Sequence, residues 1–195
     1  MASNYQKQEI KEKDFYVILF VSRNKDNKDL NYFKERRVCF IDTLESEERF
    51  NKVAQEFQNF ISAGLVGERC RWYISVNKRS NEKTMKAFQH FLIDNNDFSL
   101  VNTESKIAAL AAKKENAVTS RWLFDVDTQH PQIVEAIIDD IAIGYGSEDI
   151  AVHKTPHGYA IITQHGFDTR HLMSKWSKYV TVKKDDLLCY YWGEN

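Results

Sequence analysis

The sequence predicts an α+β fold: a mixed, mainly antiparallel sheet with flanking helices. Three observations predict it. Runs such as FYVILFV and RCRWYISV are short, apolar and rich in β-branched and aromatic residues, as strands are. Residues 50–61 and 133–141 instead repeat their apolar positions at helical spacing. The two kinds of segment open in the order β-β-α-β and later include a hairpin, so sequential strands pair back on one another.

Taken in order, Phe15 to Val21 reads as a buried strand ended by the turn-prone SRNKDNKDLN, and Arg36 to Ile41 as a second strand. DTLESEERF then supplies a cap and early acids for a helix whose stripe is Phe50, Val53, Ala54, Phe57, Phe60 and Ile61, stopped by Gly64 and Gly67. Arg69 to Val76 alternates as a strand with Cys70, Trp72 and Ile74 on one side. Residues 81–94 form a helix through Met85, Phe88 and Leu92, and 104–115 a shorter, alanine-rich one. Ser120 to Asp127 is a strand; Pro131 opens a helix with Ile133, Val134, Ile137, Ile138 and Ile141 inward, stopped by Gly144 and Gly146. Ile150 to Lys154 and Tyr159 to Thr163 form a hairpin across the turn TPHG, and a short helix near 168–176 and a strand near 186–192 complete the chain.

Composition bounds the rest. A chain of 195 residues with 43% hydrophobic and 28% charged residues builds a core without a partner, and two prolines and seven glycines with no linker mark no boundary, so 1–195 is one domain, frayed over 1–13. A net charge of −1 removes the strongly basic character of proteins held to nucleic acid mainly by counterion release, while leaving room for a local basic patch. Cys39, Cys70 and Cys189 are widely spaced within strand-like runs and read as buried free thiols. The N-terminus lacks an apolar signal region and no run reaches the roughly 20 apolar residues that span a bilayer, so a cytoplasmic protein with no membrane partner is expected.

The chemistry-bearing feature is the strand SRWLFDVD. Alternation puts Trp122, Phe124 and Val126 on one face and Arg121, Leu123, Asp125 and Asp127 on the other. Two carboxylates side by side suit Mg²⁺ or Mn²⁺ and the phosphates such ions carry; alternatively, Asp127 caps the following helix and Asp125 pairs with Arg121 or another base. His157 at the hairpin turn fits a phosphate contact or proton donor. Arg23, Asn77, Lys78, Arg79, Arg121, Lys154 and Thr155 sit at strand ends or turns, where α/β sheets gather ligands, and form the expected phosphate-binding set. His130, His153, His165 and His171 lack zinc-type spacing, and no phosphate-binding glycine loop or nucleophile elbow occurs. Four tryptophans and nine tyrosines invite a base-stacking reading; Trp72 and Trp122 alternate with apolar residues and read as core, whereas the pattern leaves Tyr191 and Trp192 unassigned.

LFDVD, an amphipathic helix and the hairpin KTPHGYAIIT together resemble the core of the archaeo-eukaryotic primase (primase-polymerase) superfamily over residues 120–190. The resemblance implies a catalytic metal site built on Asp125 and Asp127, with Gly158 as the hairpin glycine and Asp185 or Asp186 as a third acid. Ala160 stands where that family presents a histidine, and His157 precedes the glycine instead, which turns the expectation from polymerisation toward nucleotide or nucleic-acid binding or a different metal-assisted phosphoryl reaction. Across the whole chain, VSRNKDNKDLNYFKERR, CRWYISVNKRS and KTPHGYAIIT are similar to small proteins of T4-like phages, modifiers of suppressor tRNAs among them, which implies a host-cytoplasmic partner of RNA, tRNA above all. The rival expectation is a catalytically silent interaction protein that binds a host or phage factor.

Overall fold

The computed structural model describes residues 13–195, so nearly all of the N-terminal segment expected to fray lies outside the described residues. The elements are β1 (Tyr16–Ser22), β2 (Arg36–Asp42), α1 (Glu47–Ser62), β3 (Arg69–Ser75), α2 (Asn81–Asp94), α3 (Thr103–Ala111), β4 (Trp122–Val126), α4 (Pro131–Tyr145), β5 (Ile150–Lys154), β6 (Tyr159–Thr163), α5 (Arg170–Trp176), β7 (Val180–Lys183) and β8 (Leu187–Glu194). They make an α+β fold, with two corrections to the expected sheet. The strands divide into two four-stranded sheets, β2-β1-β3-β8 and β5-β6-β4-β7, and every named pairing is antiparallel rather than mixed. β7 was not expected from the sequence; four residues between a helix and a turn are too short to show a period.

The first sheet carries α1 on one face. Ser46 Oγ accepts the Arg49 N–H at 3.2 Å and Glu47 and Glu48 occupy the first turn, where acids complement the helix dipole. The α1 stripe of Val53, Phe57, Phe60 and Ile61 packs on Ile18 and Phe20 of β1 and Trp72 and Ile74 of β3. The second sheet carries α4 and α5: Val134, Ile137 and Ile141 meet Phe124 and Val126 of β4 and Ile161 of β6. Gly146 alone stops α4, in the left-handed region at φ 75°, while Gly144 lies inside the helix against the Phe167 ring.

The chain returns from the second sheet to complete the first, with β8 as its edge. Leu188 packs with Val76 on Leu123, Ala160 and Ile162, while its neighbours Leu187 and Cys189 line a cleft that Leu123 and Ala160 also line. Successive strand residues point to opposite faces, so the inner face of the second sheet meets β8 edge-on. Among the described residues no helix is long and apolar enough to cross a membrane.

A buried acid ties the far end of β3 to β2. Glu68 is 2% exposed and accepts from Arg36 Nη2 at 2.6 Å and from the Leu65 N–H at 2.8 Å. Burial pushes its carboxyl up, but the Leu65 N–H and the Arg36 guanidinium outweigh burial and hold it below its usual value. A depressed carboxylate contributes stability that is complete above the unfolded-chain value and is lost as pH falls through the folded one. Denaturant unfolding followed from neutral pH down through about pH 4 is therefore expected to show falling stability, with Glu68→Gln less stable at neutral pH and flatter in its pH dependence.

Candidate functional site

Alternation along β4 turns Phe124 and Val126 onto α4 and Leu123 and Asp125 toward the first sheet. The cross-strand neighbours of Asp125 are Ala160 on β6 and Thr181 on β7. Asp127 lies just past the strand, where its N–H donates to the Tyr179 carbonyl at 2.8 Å and its side chain is exposed. On β3 the same rule sends Cys70, Trp72 and Ile74 to α1, leaving Arg71 and Tyr73 on the opposite side. Between the sheets these residues enclose a cleft of about 180 Å³, with Leu123, Ala160, Leu187 and Cys189 as its apolar lining. Arg23 and Lys25 enter from the end of β1, Lys183 from β7, and Thr155 and His157 from the hairpin turn.

The hairpin fits because of Gly158. Thr155 N–H donates to its carbonyl at 2.9 Å, and a Cβ at this position would stand 1.9 Å from the Val126 carbonyl oxygen. Only a glycine lets the turn press against the end of the aspartate strand.

Charges in the cleft are paired unevenly. Asp26 receives Arg23 Nε at 2.9 Å and Arg71 Nη2 at 2.6 Å, so one carboxylate anchors two guanidinium groups and leaves one positive charge in excess. Burial pushes the Asp26 carboxyl up, but the two arginines overcome it and hold it below the usual range. Arg23 Nη2 lies 2.8 Å from the same Asp26 oxygen without hydrogen-bond alignment, and no other acceptor among the described residues reaches it. Lys183 bridges Asp125 and Asp186, each at 3.1 Å; burial lowers the affinity of its amine for a proton, and the two carboxylates more than restore it. Lys25 and Asp127 form no ion pair among the described residues. Arg71 Nη2 also lies 3.1 Å from His157 Nε2, which accepts from the guanidinium in the tautomer that carries its proton on Nδ1.

Of the ten residues the sequence singled out, Lys78 lies over the Tyr16 ring outside the cleft, whereas Arg23, Asp125, Asp127, Thr155 and His157 share it. Asn77 and Arg79 do not. Both are 1% exposed and bound to Asp185, Asn77 at 3.0 Å and Arg79 through two contacts at 2.8 Å, so neither is open to phosphate. Arg121 Nε donates to Gln164 at 2.9 Å, and Lys154 is exposed on β5 outside the cleft. His130, not Asp127, occupies the N-cap position of α4, without a side-chain hydrogen bond, and the base that pairs with Asp125 is Lys183 and not Arg121. Among the described residues no group of three or more His, Cys, Asp or Glu side chains is placed to hold a metal ion. Asp185 is already occupied by Arg79 and Asn77, and an ammonium stands beside Asp125 where a divalent ion would compete for the same oxygen. Burial pushes the thiols of Cys70 and Cys189 up to about 11, away from the thiolate form that acts as nucleophile or metal ligand.

Lys25, Arg71, Tyr73 and Lys183 were missed by sequence reasoning, which left Trp192 unassigned. Alternation in RCRWY carries the signal for two of them, since the side opposite Cys70 and Trp72 is Arg71 and Tyr73. Through Lys25, Arg71 and His157 the cleft opens into a wider groove of about 650 Å³ that also carries Arg69 and Trp192. No protein family model, curated protein or solved structure matches this chain. Any kinship with primase-polymerases or phage proteins thus rests on the residues alone.

Proposed function

We propose that this chain handles RNA, with tRNA as the expected partner, by holding one nucleotide unit in the cleft around Asp125 and Asp127. The observation that carries it is the opposition of charge: Arg23, Lys25 and Arg71 on one side, Asp125 and Asp127 on the other. A nucleotide presents the complementary pair of chemistries. Its phosphate suits the guanidinium fork, while ribose hydroxyls and exocyclic amines donate to carboxylates. At about 180 Å³ the cleft is smaller than the roughly 300–1,000 Å³ of pockets that swallow a whole small ligand, so it suits one sugar-phosphate unit with the remainder outside. The likeness of LFDVD and KTPHGYAIIT to the primase-polymerase core supports the same ligand class, and Ala160 beside Asp125 favours binding over nucleotidyl transfer. Lys183 supplies positive charge beside Asp125, so this binding does not require a metal ion.

Gel-shift titration with tRNA at increasing salt tests this. Affinity should fall as salt rises, and Lys25→Ala should weaken binding and reduce the slope of log K against log salt by about 1. Absence of binding at low salt would sink the proposal. A protein-partner function draws on Ile93, Leu100 and Val101, exposed around the α2–α3 connection, and gains only from that negative result.

A further inference from the structure

We infer that the wider groove is a track for single-stranded RNA in which the Trp192 indole stacks on a base, so that the protein takes unpaired RNA in preference to duplex. This rests on the RNA function proposed for the adjoining cleft. Its evidence begins with an irregularity in β8. Tyr73 pairs with Cys189, but Trp72 pairs with Tyr191, so Tyr190 is an extra residue on β8 and the register shifts there. In a regular strand, alternation from Cys189 through Tyr190 would turn Tyr191 toward the cleft and Trp192 toward α1. The bulge reverses the phase. Tyr191 meets Phe57 of α1 edge-on at 6.1 Å, and Trp192 falls opposite Arg71, on the side where the cleft and groove lie. Bulges commonly re-aim a side chain at a functional site, and this one delivers a tryptophan to a groove.

The delivered ring is unengaged. Trp72, Trp122 and Trp176 each contact another aromatic ring, whereas Trp192 makes no ring contact among the described residues and is 38% exposed. Lys25 and Arg71 line the same groove, with Asp26 and Glu194 as its two acids, and Arg69, paired with Asp29 and Glu194, continues the basic row of β3. An aromatic platform beside cations that follow a phosphate backbone is the chemistry of single-strand binding. A base can cover the indole only when it is free of its own helix stack, which excludes a duplex from this contact.

Fluorescence anisotropy tests it, with a dye-labelled short RNA of mixed sequence as single strand and as duplex, at low salt. The single strand should bind more tightly. Trp192→Ala should lower its affinity about 5- to 150-fold, the equivalent of one stacked base, while Trp192→Phe, which keeps a ring, should retain most of it. Near-ultraviolet circular dichroism and thermal melting establish that both variants are folded. Equal binding of single strand and duplex, or an unchanged affinity in folded Trp192→Ala, overturns the stacking inference and leaves the cleft proposal intact. Failure of both RNAs to bind the unaltered protein overturns both.

Discussion

Asp185→Ala is expected to lower the free energy of unfolding by about 3–5 kcal/mol, the cost of leaving a buried charge without its partner. Asp185 lies in the turn between β7 and β8 and accepts two hydrogen bonds from Arg79 and one from Asn77. Arg79 is the bulkiest fully buried side chain among the described residues. Its Nε already lacks an acceptor, so removal of Asp185 strands the guanidinium almost completely. The network also reaches the second sheet: Asn77 Oδ1 accepts the Arg121 N–H at 2.7 Å and the Thr119 hydroxyl at 2.8 Å, and Asn77 Nδ2 donates to the Arg121 carbonyl at 3.1 Å. The exit of β3, the entry of β4 and the β7–β8 turn are thus tied at one point. Thermal denaturation should register a fall of about 6–20 °C for a domain of this size. Asp185→Asn, which keeps an acceptor, should lie between. The double variant Asp185→Ala with Arg79→Met should recover part of the loss, because it removes the stranded charge. A single-variant change within about 0.5 kcal/mol would place the network among ordinary surface contacts and refute this account.

That network explains one limit of sequence reasoning. Asn77 and Arg79 follow a strand in the polar stretch NKRS and look like a solvated turn poised for a ligand. What draws them inward is Asp185, more than 100 residues away in the chain. Local patterns cannot report such a partner. The division into two sheets was hidden for the same reason: β8 reads as a strand from DLLCYYW, but nothing within those residues says that it pairs with β3 and not with its nearer neighbour β7. The strands and helices themselves were legible because their apolar residues obey a period, as in the hairpin of β5 and β6 and in α4. The face of Asp125 was legible too, since one strand decides it. Its company was not: Arg71 and Lys183 belong to other strands, and Trp192 reaches the groove through a bulge that no residue pattern in CYYW announces.

Gly158→Ala is expected to damage fold and site together. The added methyl would sit 1.9 Å from the Val126 carbonyl oxygen and about 3 Å from the backbone N and O of Thr128. These are backbone atoms of the segment that carries Asp125 and Asp127, so no side-chain rotation relieves the contact. Overpacking of this kind costs about 1–3 kcal/mol or more, and a melting point lower by about 2–12 °C follows. Relief requires the hairpin turn to back away from the end of β4. Gly158 accepts the Thr155 N–H within that turn, so Thr155 and His157 would move with it, away from Asp127 and from the Arg71 contact. RNA affinity should therefore fall more in Gly158→Ala than in Lys154→Ala, which removes a cation on the same hairpin outside the cleft. Melting and gel-shift measurements on the two variants separate the effects. If Gly158→Ala melts with the unaltered protein, the close approach of turn to strand is refuted; if it melts lower yet binds tRNA as well, the hairpin is structural and the cleft does not need it.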